Sequence, residues 1–253
     1  MTSAPHTINE RLAALVAAGT APWLDQIRRG LLTSGELARL RDEYSLRGVT
    51  SNPAILEQAI LGSSDYDDDL RELAHDGLDA VGLYERMVVA DLQGAADVLR
   101  PVYDEHGDGF VSFEVMPDRA HDTDGTLAQA REYWARLDRP NTMIKIPGTP
   151  EGVPAIEQAI FEGINVNVTL LFGVERYAAI AEAYIRGLER RLAEGLSVDV
   201  HSVASFFVSR VDTEVDKRLE ALGRSDLAGT AALATECTST ESPSARRRSS
   251  PRM

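Results

Sequence analysis

Short apolar runs alternate with longer amphipathic stretches along most of this chain, which restricts the fold to strand and helix units around a parallel sheet. Six runs read as strands: residues 21–25, 48–52, 110–115, 142–147, 164–171 and 201–207. Apolar residues recur every three or four positions over 34–43, 83–102, 124–137, 151–162, 174–194 and 209–222, the spacing of helices that bury one face. Pro53 follows the second strand, where its missing N–H suits the first turn of a helix. No Gly/Ser-rich linker or internal repeat divides this stretch, so it reads as one domain.

Parallel strands with intervening helices fit either an open doubly wound sheet or part of an eight-stranded barrel. The polar residues separate the two. Asp25, Asn52, Glu114, Lys145, Asn167, Thr169 and Ser205 each lie within or at the end of a predicted strand. A closed barrel converges such positions on one pocket at its C-terminal face, whereas an open sheet spreads them across its width. The expected fold is therefore α/β, of the (β/α)8 TIM-barrel type but incomplete, with six strands present and the last two missing. From about residue 230 the composition changes: residues 235–253 hold five serines, four arginines and three threonines, too polar to pack against a core. We expect a domain over 1–229 and a disordered tail over 230–253.

The formal net charge of -14 disfavours nucleic acid or an anionic membrane surface as a partner, since both call for a basic face. No apolar run is long enough to span a bilayer and no signal peptide opens the chain, which points to the cytoplasm. Cys237 is the only cysteine, and His6, His75, His106, His121 and His201 follow no metal-binding spacing, so neither a disulfide nor a metal site is expected.

Only Lys145 and Lys217 among the 26 basic side chains are lysines. Lys217 lies among Asp212, Glu214 and Asp216 at helical spacings, which suggests a solvated ion-pairing role. Lys145 lies in Met143-Ile144-Lys145-Ile146-Pro147, where alternation places Met143, Lys145 and Pro147 on one face and the isoleucines on the other. Burying an ammonium is costly unless it is paired or sheds its proton, and a neutral amine attacks ketones, which arginine cannot do. The competing reading is a lysine that snorkels to water. An iminium on Lys145 would withdraw electrons from the adjacent carbon and permit C–C cleavage without a metal, with Glu114 and Asp25 as candidate proton carriers. An arginine ion pair for Glu114, and capping of a helix begun by Gln26-Ile27-Arg28-Arg29 for Asp25, are the alternatives. Thr50, Ser51 and Asn52 stand in a row before a helix start, where Ser51 or Asn52 could simply be an N-cap. Asn167 and Thr169 share a face opposite Val166, Val168 and Leu170, where buried polar groups need partners. Ser205 and Arg210 flank the end of the sixth strand, where Arg210 could meet a phosphate or a surface carboxylate.

Four segments, in this order, resemble the transaldolases, in particular their longer bacterial branch. They are Gly48-Val49-Thr50-Ser51-Asn52-Pro53-Ala54-Ile55, residues 141–148 followed by Glu151-Gly152, residues 165–172, and residues 204–212. The resemblance covers roughly residues 8–229. It implies a (β/α)8 barrel acting in the non-oxidative pentose phosphate pathway. A dihydroxyacetone unit would pass from a ketose phosphate, fructose 6-phosphate or sedoheptulose 7-phosphate, to an aldose phosphate. Lys145 would be the Schiff-base nucleophile, with Glu114 and Asp25 as acid/base groups. Asn52, Asn167 and Thr169 would orient the intermediate or water, Ser205 and Arg210 would hold hydroxyl and phosphate, and Phe207 would line the pocket. No metal or organic cofactor is implied, and nothing fixes the oligomeric state. The alternatives are a fructose-6-phosphate-type aldolase with the same lysine, or an inactive remnant that binds sugar phosphate at most. Members of the family continue beyond residue 229 with two further strands, so a shifted reading frame or a truncated gene model near residue 230 is expected.

Overall fold

A computed structural model describes residues 8–73, 75 and 77–231. The tail expected over 230–253 and Cys237 fall almost wholly outside the described residues. Six strands form one parallel sheet in sequential order: β1 (Trp23–Leu24), β2 (Gly48–Thr50), β3 (Phe110–Glu114), β4 (Thr142–Pro147), β5 (Val166–Leu171) and β6 (Ser202–Phe206). Each strand occupies an expected run, trimmed by up to three residues at its ends. The sheet curls into six strands of a (β/α)8-type barrel wall, and among the described residues β1 and β6 each pair on one side only.

Helices α1 (Glu10–Ala17), α2 (Arg29–Thr33), α3 (Glu36–Glu43), α4 (Pro53–Leu61), α5 (Asp67–Leu73), α6 (Ala80–His106), α7 (Thr123–Leu137), α8 (Gly152–Glu162), α9 (Val174–Ala193) and α10 (Val208–Ala221) flank and connect the strands. Pro53 occupies the first turn of α4, as its chemistry requires, and Asn52 caps that helix. The helix expected from Gln26 begins only at Arg29, with Arg28 at its N-cap, so Asp25 caps nothing. No described helix is long and apolar enough to cross a membrane.

Alternation along the strands builds two surfaces. Ile144, Ile146, Val166 and Val168 belong to the continuous core with Ala155, Ile156, Ala159 and Ile160 of α8. Each isoleucine so buried contributes on the order of 1.5–3 kcal/mol. The opposite row carries Glu114, Lys145 and Asn167 side by side in register. Trp23 lies over Gly48, where a Cβ would come within 2.3 Å of the indole; only glycine admits that contact.

A buried polar cluster ties the first units together. Asp91 of α6 accepts hydrogen bonds from Arg29 Nε and the Tyr66 hydroxyl, each at 2.8 Å. Burial pushes its carboxyl up, against the pull of these two partners.

Candidate functional site

Lys145 is 6% exposed, because both neighbouring strands cover the middle of β4. Its Nζ lies 3.3 Å from Glu114 Oε2 and donates a 3.1 Å hydrogen bond to the Ser51 carbonyl. The lysine therefore does not snorkel, and the ion partner of Glu114 is this amine instead of an arginine. Burial raises the Glu114 carboxyl above the ordinary carboxylate range; the Lys145 charge opposes that shift and the Asp25 charge adds to it.

The amine opens onto a cavity of about 500 Å³ walled by Asp25, Thr50, Thr169, Ser205, Phe207 and Arg210 among others. Six of the nine residues singled out in the sequence, Lys145 among them, thus share one cavity. Glu114 and Asn167 are not among the residues that line it. Asn167 Nδ2 donates to Ser112 Oγ at 3.0 Å, and its Oδ1 accepts from Ser205 Oγ at 2.8 Å. Asn167 thereby links β3, β5 and β6 across the barrel interior. Asn52 does not line the cavity, and its Oδ1 accepts the Ile55 N–H at 3.0 Å. A second groove of about 480 Å³ shares Asp25 but runs along α4 and does not reach the lysine.

Arg210 sits in the first turn of α10, with its guanidinium 4.8 Å from the centre of the Phe207 ring. Lys217 is exposed on the same helix and makes no ion pair among the described residues, contrary to the role expected from its acidic neighbours. Among the described residues no group of three or more histidine, cysteine, aspartate or glutamate side chains is placed to hold a metal ion.

Sequence reasoning passed over Ser112 and the individual contributions of Ser51 and Thr50. Ser51 also donates to the Ser112 carbonyl at 2.9 Å, and Thr50 Oγ1 is buried on the cavity side with no protein partner. Ser112 stands two residues before Glu114 on the same strand, so the alternation that located Glu114 already pointed to it.

Chemically, the arrangement offers a buried primary amine beside one carboxylate, at a cavity whose lining carries a second. Hydroxyl and guanidinium groups also line this cavity. The family described as Transaldolase/Fructose-6-phosphate aldolase matches residues 22–241. A transaldolase from Saccharopolyspora erythraea is 48% identical over 230 residues, covering 90% of this chain and 63% of the relative. One from Acidothermus cellulolyticus is 50% identical over 219 residues, covering 85% and 59%. Transaldolase 2 from Nostoc punctiforme is 50% identical over 198 residues, covering 77% and 52%. The chain thus spans between about half and just under two thirds of the length of these relatives.

Proposed function

Because this chain belongs to the transaldolase/fructose-6-phosphate aldolase family, we propose that it transfers a dihydroxyacetone unit between sugar phosphates through a Schiff base on Lys145. The observation that carries the reading is the enclosed Nζ of Lys145, 3.3 Å from Glu114 Oε2, at the wall of a cavity that also presents Asp25 and Arg210.

In this reading the neutral amine of Lys145 adds to the C2 carbonyl of a ketose phosphate such as fructose 6-phosphate or sedoheptulose 7-phosphate. The carbinolamine then loses its hydroxyl as water. Glu114, adjacent to the nitrogen, supplies that proton, and its raised affinity for protons favours the acid form the step requires. In the iminium the C3–C4 bond is adjacent to an electron sink. Asp25, on the cavity wall where the sugar chain would extend, takes the proton from the C4 hydroxyl as that bond breaks. The aldose phosphate departs and a three-carbon enamine stays on the lysine. Adding this enamine to the aldehyde of a second aldose phosphate, followed by hydrolysis of the new iminium, completes the transfer and regenerates the amine.

Asn167 and Thr169 orient the intermediate and its water, Ser205 binds a substrate hydroxyl, and Arg210 pairs with phosphate through a planar fork of donors. Asn52 keeps α4, and with it the Ser51 carbonyl, in place beside the lysine. Phe207 walls the cavity. The chemistry asks for no metal or organic cofactor, and we place it in the cytoplasm, in the non-oxidative pentose phosphate pathway.

The test is borohydride reduction of the protein in the presence of fructose 6-phosphate, followed by peptide mass mapping. A reduced adduct on the peptide that contains Lys145 is expected. An adduct on Lys217, or on neither lysine, would refute the assignment. Transfer to an added aldose phosphate, measured against free ketol release, separates transaldolase action from plain aldol cleavage.

A further inference from the structure

Regular alternation puts Leu170 on the helix-facing side of β5 with Val166 and Val168, and the strand departs from that pattern. Leu170 has φ +59°, in the left-handed region where a bulky side chain is strained. The pairing of β5 with β6 slips between Val168 and Leu171, so Leu171 is fully buried while Leu170 is 41% exposed. That turn decides where the next side chain goes. Phe172 is 62% exposed, and its ring stacks on Phe207 with centroids 5.5 Å apart and planes at 26°. Phe207 in turn lies under the guanidinium of Arg210. Phe207 and Arg210 wall the cavity of Lys145, whereas Phe172 stands outside it.

A phenylalanine this exposed adds little to the core, and a strained leucine costs stability, so neither residue is accounted for by packing. Stacked aromatic pairs favour one relative orientation of their rings, and a guanidinium follows the ring face beneath it.

We infer that Leu170 and Phe172 form a positioning device for the phosphate end of the substrate: the left-handed turn sets Phe172 as a shelf, the shelf fixes the plane of Phe207, and Phe207 aims Arg210 into the cavity. The device selects phosphorylated sugars over unphosphorylated ketones without touching the reacting carbon. It rests on the reading of Arg210 as the phosphate partner.

Two measurements on wild type, Phe172→Ala and Phe172→Tyr test it. The first is phenylglyoxal labelling of Arg210, followed by mass mapping, across a titration with inorganic phosphate. Phosphate protects Arg210 in the wild type, and Phe172→Ala requires about five- to ten-fold more phosphate for the same protection. Phe172→Tyr, which keeps the ring, restores the wild-type value. The second is borohydride trapping over a range of ketone concentrations. Phe172→Ala raises the half-saturating fructose 6-phosphate by the same factor and leaves that for dihydroxyacetone unchanged. Equal protection in wild type and Phe172→Ala, or equal shifts for both ketones, overturns the positioning role. If phosphate fails to protect Arg210 even in the wild type, the phosphate reading falls and the device with it. If the wild type protects Arg210 but traps nothing on Lys145, the Schiff-base reading alone falls and the labelling still decides the role of Phe172.

Discussion

β3 and β6 are built from the same plan, and they differ in what closes over them. In each, a phenylalanine on the outer face meets a tyrosine from a neighbouring helix. Phe113 stacks on Tyr133 of α7 at 4.4 Å, with both residues almost completely buried. Phe206 meets Tyr177 of α9 at 5.5 Å and a tilted 57°, and both remain partly exposed. β3 has paired neighbours on both sides, while β6 has one, and neither β6 nor α10 contains a buried residue. Burial of a strand is thus set by its neighbours as much as by its own sequence. The site straddles this divide. Lys145, Glu114 and Asn167 stand on the enclosed strands, whereas Ser205, Phe207 and Arg210 stand on the open side. The covalent chemistry proposed for Lys145 calls for a fixed, water-poor setting, which the enclosed strands offer.

The sharpest way to break this division is Lys145→Arg. Arginine keeps the positive charge but is no nucleophile, so adduct formation with fructose 6-phosphate should vanish altogether while circular dichroism is unchanged. Protection of Arg210 by phosphate should persist, since it belongs to the other side of the site. If the variant lost both together, the two halves would not be separable in function.

The next largest contrast lies in stability. Phe113→Ala should cost about 3–5 kcal/mol, the range for a fully buried ring whose cavity cannot collapse. Phe206→Ala should cost about 1–2 kcal/mol, because part of that ring is already in water. Denaturant midpoints of the two variants measure the difference. Equal losses would mean that β6 is as well supported as β3, and the distinction drawn from burial would fail.

The strands were legible in the sequence because alternation is a local property that the fold preserves. It placed Lys145 opposite the isoleucines and put Glu114 and Asn167 beside it once the strands were paired in order. The cavity followed from polar residues at strand ends. What escaped notice depended on backbone or on partners. Leu170 breaks the alternation through a left-handed turn that no periodicity announces. The carbonyl of Ser51, which accepts from Lys145, is a backbone group that any residue would provide. α5 was missed because it opens on three aspartates and buries nothing, and Lys217 because acidic neighbours in sequence need not become partners in space. The roles of the site residues rested on the resemblance of four segments to transaldolases, since residue type alone left each with an ordinary structural alternative.

The smallest expected effect tests whether burial or pairing governs Glu114. Burial is the leading influence on its carboxyl and raises it, and Lys145 at 3.3 Å works against that. A group whose proton is held more tightly in the folded state contributes its full stability below the unfolded value of about 4.3. That contribution is then lost as pH rises through the higher folded value. Glu114→Gln cannot ionise and lacks this dependence. The stability of the variant relative to wild type should therefore improve as pH rises from about 4 towards neutrality, with a slope no steeper than about 1.4 kcal/mol per pH unit, the limit for one proton. Urea midpoints across that range give the slope. The reverse slope would mean that the contact with Lys145 outweighs burial and that Glu114 ionises more readily in the folded protein. Glu114 would then be poorly suited to donate the proton on which loss of water from the carbinolamine depends.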